Sequence, residues 1–326
     1  MSVIGLGNAL MDVLIELEND VTLSDLGIRK GVMDYVDEPR MATIRDAQKH
    51  LKHSEVPGGS VCNTMRAMAH LYDKAGYIGK VGQDSTGKVY EESLKEAGVI
   101  PYLIKGDRIS GSCTVLISPD GERTMQTFLG PAATIDAERD IADETLQAFD
   151  YIYIEGYLMV NEPLFRGILA KAKRLGLKIA VDLSNFSIVE DYMPMLKELI
   201  PEYVNILFSN ESEAEAFTGK MPREAVEELS KIVDVSVVTC GKEGALVGSK
   251  GEIISVPAYG GKPKDTTGAG DHFAAGFLYG QTQGLSLEKS AQIGSYLAGN
   301  VIEHIGPRIP EEKWDTIKLK IREIVG

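Results

Sequence analysis

The sequence has 326 residues, 44% of them hydrophobic and 25% charged, so the chain can bury a large core and is neither disordered nor fibrous. Its formal net charge of -14 argues against nucleic acid or an anionic membrane surface as a partner. Cys62, Cys113 and Cys240 sit among small or apolar residues, without a CxxC pair or zinc-like spacing, and read as reduced packing thiols of a cytoplasmic protein.

The chain opens on an apolar strand, Val3–Gly7, without the basic stretch and long apolar run of a signal peptide. No segment reaches the length of a membrane-spanning helix. Just past that strand lie Asn8 and Asp12, where strand ends of open α/β sheets form ligand crevices and a carboxylate can hold a pair of hydroxyls. Taken alone, an Asn and an Asp in a loop are more often turn formers.

The stretches Asp12–Glu16, Gly31–Val36, Ser112–Ser118 and Arg123–Phe128 read as extended strands without a helix between each pair, and Pro119-Asp120-Gly121 reads as a hairpin turn. They are expected to form a small β-sheet lid from residues 12–40 and 102–129. The lid projects from an α/β core of residues 1–11, 41–101 and 130–326. Its exposed edge could pair with a second copy in a homodimer.

Between these stretches, Gly58-Gly59 precedes an apolar helix predicted over Thr64–Tyr72. Paired glycines let a ligand approach the backbone, and Asn63 can both donate to and accept from a hydroxyl. In isolation the pair is an ordinary turn.

From Tyr151 onward, short apolar strands alternate with amphipathic helices. The strands are Tyr151–Glu155, Lys178–Asp182, Asn205–Ser209 and Val235–Thr239, and the helices begin at Glu162 and Glu211. This alternation predicts a doubly wound, mainly parallel sheet. After the third strand, helical spacing puts Asn210 and Glu213 on one face, suited to magnesium-bound water near phosphates or simply to capping a helix start. After the fourth, Thr239, Gly241 and Gly244 suit either a loop against a nucleotide phosphate or a hairpin turn.

The densest signal is Asp265-Thr266-Thr267-Gly268-Ala269-Gly270-Asp271. A glycine-rich turn opening into a helix offers unpaired N–H groups and the positive end of a helix dipole to an oxyanion. Asp271 would stand beside that anion as a general base for an incoming nucleophile. An anion cradle with a carboxylate base is the minimal equipment for phosphoryl transfer to an alcohol. His50, His53, His70, His272 and His304 have no ligand-like spacing, and Glu224–Glu228 reads as a solvated helix face. The chain contains neither a Walker A pattern nor a G-x-S-x-G elbow.

The motifs occur in the order GxGNxxxD, GGxxxN, NExE, TxGxxG and DTTGAGD, and this order resembles the ribokinase-like (phosphofructokinase B) family of sugar and nucleoside kinases across essentially the whole chain. GLGNALMD, LFSNESEAEAF, DTTGAGDHFAAGFL and the Thr127–Gly130 stretch are most similar to its adenosine kinase-like members. The resemblance implies that Asp271 is the catalytic base and that Gly268, Ala269 and Gly270 form the anion hole. It implies that Asn8, Asp12, Gly58, Gly59 and Asn63 bind the acceptor. Asn210, Glu213, Thr239, Gly241, Gly244 and Asn300 would serve ATP, with Mg2+ held mainly by ATP phosphates and water near Glu213. A monovalent cation is a further candidate. Phe128, Tyr157, Tyr35 and Phe186 are candidates to stack on an acceptor base.

The expected function is ATP-dependent phosphorylation of a hydroxymethyl group of an adenosine-like nucleoside. The alternatives are a kinase of a free sugar such as ribose, fructose or a keto-deoxy sugar acid, and a non-catalytic sensor of nucleosides or sugars. A dinucleotide-dependent oxidoreductase is disfavoured, because Gly5-Leu6-Gly7 is not continued as G-x-G-x-x-G opening a helix.

Overall fold

A computed structural model describes residues 1–71 and 74–326. The strands are β1 Val3–Leu6, β2 Leu10–Glu16, β3 Met33–Tyr35, β4 His53–Pro57, β5 Ala75–Gly82, β6 Ile100–Gly106, β7 Gly111–Ile117, β8 Arg123–Phe128, β9 Tyr151–Glu155, β10 Lys178–Asp182, β11 Ile206–Asn210, β12 Val235–Thr239, β13 Ala245–Ser249 and β14 Glu252–Val256. Among the described residues they make two sheets. One has nine strands in the order β14-β13-β12-β11-β10-β9-β1-β5-β6, and the other has five in the order β3-β8-β7-β2-β4.

The large sheet is parallel from β6 through β12, and only β13 and β14 add in antiparallel fashion. β1 and β9 are buried along their whole length, which is why Val-Ile-Gly-Leu and Tyr-Ile-Tyr-Ile carry no polar alternation. Apolar clusters cover both faces. One gathers Phe273, Phe277, Ile293 and Leu297 from the helices Ala269–Thr282 and Leu287–Val301. The other gathers Phe165, Ile168, Leu196 and Leu199. Among the described residues no helix is long and apolar enough to cross a membrane.

β1 lies between β5 and β9, so the winding reverses beside it, and such a switch point opens a crevice at the strands' carboxyl ends. The small sheet stands over that crevice. Its own core is Val13, Ile15, Leu23, Ile44 and Leu116.

In two places the structure divides the chain differently from the expected ranges. β4 joins the small sheet by pairing Asp12 with Val56 and Val13 with Glu55. Its outer residues His53–Glu55 are exposed, so the segment lacks the apolar alternation that marks a strand. β6 edges the large sheet rather than the small one, a position that tolerates Pro101. The helix after Gly58-Gly59 begins at Ser60, ahead of the expected Thr64, and its expected last residue, Tyr72, lies outside the described residues.

Candidate active site

The carboxyl ends of neighbouring strands bring polar groups to one edge. Asn8 follows β1, Glu155 ends β9, Asp182 ends β10, Asn210 ends β11 and Thr239 ends β12. Glu155 pairs in register with Asp182, and Asn210 with Thr239, so the five form a row along the crevice.

The turn before Asp271 is shaped by Gly268, whose φ of 79° is left-handed and strained for any side chain. A Cβ there would also lie 3.0 Å from Pro307. Ala269 N–H donates to Thr266 O at 3.2 Å, so its donor is spent within the turn, whereas the next N–H groups of the first helical turn, Gly270 and Asp271, lack the intrahelical partner that later residues have. Asp265 braces the turn by accepting from Thr267 N–H at 3.0 Å and Thr267 Oγ1 at 2.7 Å.

Asp271 occupies the first turn of the helix Ala269–Thr282. Its Oδ1 accepts from Ser60 Oγ at 2.7 Å and its Oδ2 from Asn63 Nδ2 at 2.9 Å. Removal from water pushes its carboxyl up to about 7; the two donors hold it down and the Asp182 charge pushes it up. A base with that value is poised for proton transfer near neutrality. Asn63 keeps its Oδ1 buried and unpartnered among the described residues, an acceptor free for a donor.

Asp12 rests on the Gly58 backbone, where an added Cβ would stand 2.1 Å from its Oδ2. Burial raises Asp12 to about 7, while Arg308 and Arg123 hold it down and Asp271 adds to the rise. Gly59, with a φ of 97°, carries the chain into the helix that bears Ser60 and Asn63. The structure thus brings Asp12, Gly58, Gly59, Asn63 and Asp271 to one place. Asn8 stands nearby with its amide committed: its N–H and Nδ2 both donate to Glu155 Oε1, at 2.9 and 2.8 Å.

On the other side of the glycine turn lies a cavity of about 590 Å³, lined by Thr239, Gly241 and Gly244 together with Gly270, Ala298 and Gly299. β12 and β13 are antiparallel, so the Thr239–Gly244 segment is a hairpin turn that also walls this cavity. Asn300 turns away from the cavity, its Nδ2 donating to Tyr296 O in its own helix at 2.8 Å; Ala298 and Gly299 take the wall instead. Asn210 and Glu213 form a complete capping box, with Glu213 accepting from Asn210 N–H at 2.9 Å and from its Nδ2 at 2.7 Å. Burial raises Glu213, and the Asp182 charge adds to that rise.

Among the aromatic candidates, Phe128 is core and lies beneath Arg108. Phe186 is half exposed at the start of a short helix. Tyr35, on the small sheet, is exposed, and Tyr157 after β9 is half-buried with its hydroxyl donating to Ser184 O at 3.2 Å; desolvation raises both phenols and the Glu155 charge adds to the rise. His272 does not share the site. Its Nδ1 meets Gly268 O at 2.9 Å, and burial lowers it to about 4.

Five groups escaped the sequence reading. Ser60 lay inside the quoted Gly58–Asn63 motif without a role. Glu155 and Asp182 each end an otherwise apolar strand, and a carboxylate there is a signal for the crevice. Arg123 of β8 reaches Asp265 Oδ2 at 2.6 Å and ties the small sheet to the glycine turn. Arg308 bonds Pro57 O at 2.6 Å from 251 positions away, a relation with no local sequence signal.

The profile of the pfkB family carbohydrate kinases matches residues 37–314. The chain is 29% identical to an adenosine kinase of Saccharomyces cerevisiae over 94% of this chain and 96% of that one. Its fold superposes with a TM-score of 0.87 on an adenosine kinase from Sinorhizobium meliloti, 31% identical, covering 99% of this chain and 98% of that one. The same TM-score of 0.87, at 30% identity and with coverage of 99% and 98%, relates it to a probable sugar kinase from Rhizobium etli.

Proposed function

The chain belongs to the pfkB family of carbohydrate kinases and is an ATP-using kinase, and from that premise we propose that it phosphorylates the hydroxymethyl group of an adenosine-like nucleoside. The observation that carries this reading is the meeting of two half-sites at Asp271. Asp12, Gly58 and Asn63 stand on one side of the carboxylate, and the cavity shared by Gly270 and Thr239 on the other.

In this reading the acceptor's hydroxyls bind Asp12 and the free Asn63 Oδ1. Asp271 takes the proton of the attacking hydroxyl as its oxygen bonds to the γ-phosphorus and the bond to ADP breaks. The Gly270 and Asp271 N–H groups meet the negative charge of the transferring group. Closure of the small sheet excludes water, which would otherwise compete as acceptor.

Magnesium fits the donors present. Asp182 and Glu213 carry carboxylates, the ligand type a hard cation takes, but both Glu213 oxygens already accept from Asn210 and both Asp182 oxygens from Ser184 N–H and Tyr153 OH, so they would hold the ion through water. Among the described residues no group of three or more side chains could hold a metal by itself, so nucleotide phosphates and water would supply the remaining ligands. When bound, the ion neutralises charge on the phosphate oxygens.

The nucleoside reading draws on the adenosine kinases of yeast and Sinorhizobium. The similarity to the Rhizobium sugar kinase favours a second reading, a free-sugar acceptor. Measuring ADP formation with adenosine, other nucleosides, ribose, fructose and keto-deoxy sugars decides between them. A clear preference for a free sugar sinks the nucleoside reading, and no acceptor-dependent ADP at all would favour a sensor. We place the enzyme in the cytoplasm, where its three buried free thiols stay reduced. The exposed β4 edge would pair two copies, which light scattering would detect as a dimer.

A further inference from the structure

The segment Gly306–Arg308 straps the two halves of the site together. Gly306 N–H donates to Asp265 Oδ2 at 2.8 Å, and Pro307 packs on Gly268. Arg308 Nη2 then reaches across to Pro57 O at 2.6 Å, on the turn where Asp12 rests.

Arg308 is expensive where it stands. Its Nε is buried without a partner among the described residues, and its Nη2 bonds a neutral carbonyl. Arg308 is half-buried and lines a cavity, and for the buried part of its guanidinium a single carbonyl is weak compensation. Burial and the nearby Arg66 both disfavour its charge, while Cys62, Tyr90 and Asp12 favour it. Asp12 in turn faces Arg308, Arg123 and Asp271, and Arg308 is the stronger of the two cations holding its carboxyl down. Arg123 is already committed to Asp265 at 2.6 Å. Arg308 has no ion pair with Asp12 among the described residues; its bond to Pro57 O sets it beside the turn on which Asp12 rests, and from there its charge holds the Asp12 carboxyl down.

We propose that Arg308 is a positioning residue of the acceptor site, fastening the Pro57–Gly58 turn and supplying the positive charge that faces the Asp12 carboxylate. The proposal rests on the reading of Asp12 as an acceptor ligand. Arg308 touches no reacting atom; it acts through Asp12, keeping that group ionised at the pH where hydroxyls must bind it.

The test is acceptor affinity without ATP, measured by calorimetry from about pH 6 to about pH 9, for the wild type, Arg308→Met and Arg308→Lys. Arg308→Met should weaken binding about tenfold near neutrality and move the half-maximal pH of binding upward by about one unit, so that the deficit shrinks in alkali. Arg308→Lys should recover most of the affinity, and kcat at saturating acceptor should change less than about twofold in both. If Met prevents folding, Arg308→Gln is read by the same profile. A lower melting temperature with an unmoved affinity and pH profile would show a merely structural arginine and overturn the proposal. Acceptor-dependent ADP formation by the wild type is measured first. Its absence removes the kinase-acceptor reading and this one with it, whereas its presence with an unmoved profile removes Arg308 alone.

Discussion

Asn63 Nδ2 donates to Asp271 Oδ2 at 2.9 Å, joining two residues 208 positions apart in the chain. The bond fixes the carboxylate against the helix that follows the Gly58-Gly59 turn, and Ser60 holds its other oxygen. The group proposed as base is thus aimed by the same helix that carries the unpartnered Asn63 Oδ1 proposed to meet the acceptor, so one rigid element would set the orientation of both.

Replacing Asp271 with Asn removes the proton acceptor and leaves the shape. Turnover should fall about a hundred- to ten-thousandfold, with acceptor and nucleotide affinity within about threefold of the wild type. Wild-type kcat should rise with pH through about 7, the value to which burial raises Asp271, because only the ionised form takes the proton. Coupled-assay measurement of ADP formation reads both, and near-normal turnover in Asp271→Asn removes it as the base.

The raised carboxyls also set the pH dependence of stability. Asp12 and Asp271 rise from 3.8 to about 7, and Glu155 from 4.5 to about 7. Between those limits the folded state binds more protons than the unfolded one, so stability falls as pH rises through the window. The ligand-free protein should melt at a higher temperature near about pH 5 than near about pH 8. A melting temperature that climbs steadily across that range in calorimetry would contradict the buried placement of these groups.

Gly58→Ala tests the contact between the turn and Asp12. The new methyl would stand 2.1 Å from Asp12 Oδ2, so the carboxylate must swing away or the turn must shift. Acceptor affinity should fall more than about tenfold, while nucleotide affinity, governed by the cavity beyond Gly270, stays put. Isothermal titration with each ligand separately reads the difference.

What could be read from sequence was what is local. β1, β9, β10, β11 and β12 announced themselves as short apolar runs because both faces of a parallel strand are buried. The Gly268–Asp271 turn was visible because its left-handed glycine and its helix start lie next to each other in the chain. β4 was invisible because His53–Glu55 are exposed and polar, and their strand pairing depends on where β2 runs. Asn210 and Glu213 carried two readings at once, and the capping box is the one the structure realises. Arg123 and Arg308 could not be found, since each acts on residues more than 140 positions away, Arg123 on Asp265 and Arg308 on Pro57.

Glu155 offers the sharpest separation of charge from shape. Its Oε1 accepts both Asn8 donors and its Oε2 accepts Val61 N–H at 3.2 Å, so one buried carboxylate joins the segment after β1 to the helix bearing Asn63. Glu155→Gln keeps the volume and can keep the two Asn8 bonds through its carbonyl oxygen, but it turns an N–H₂ toward Val61 N–H. The lost bond and the opposed donors should cost about 1–3 kcal/mol in stability, and Glu155→Ala, which strands all three N–H groups, should cost more. The Gln variant also removes a negative charge from the neighbourhood of Asp271, so the rise of kcat with pH should begin lower than in the wild type. Chemical denaturation gives the stability order, and the pH–rate profile gives the charge effect. Equal stability of the Gln variant and the wild type, together with an unmoved profile, would mean that Glu155 is neutral in the folded protein.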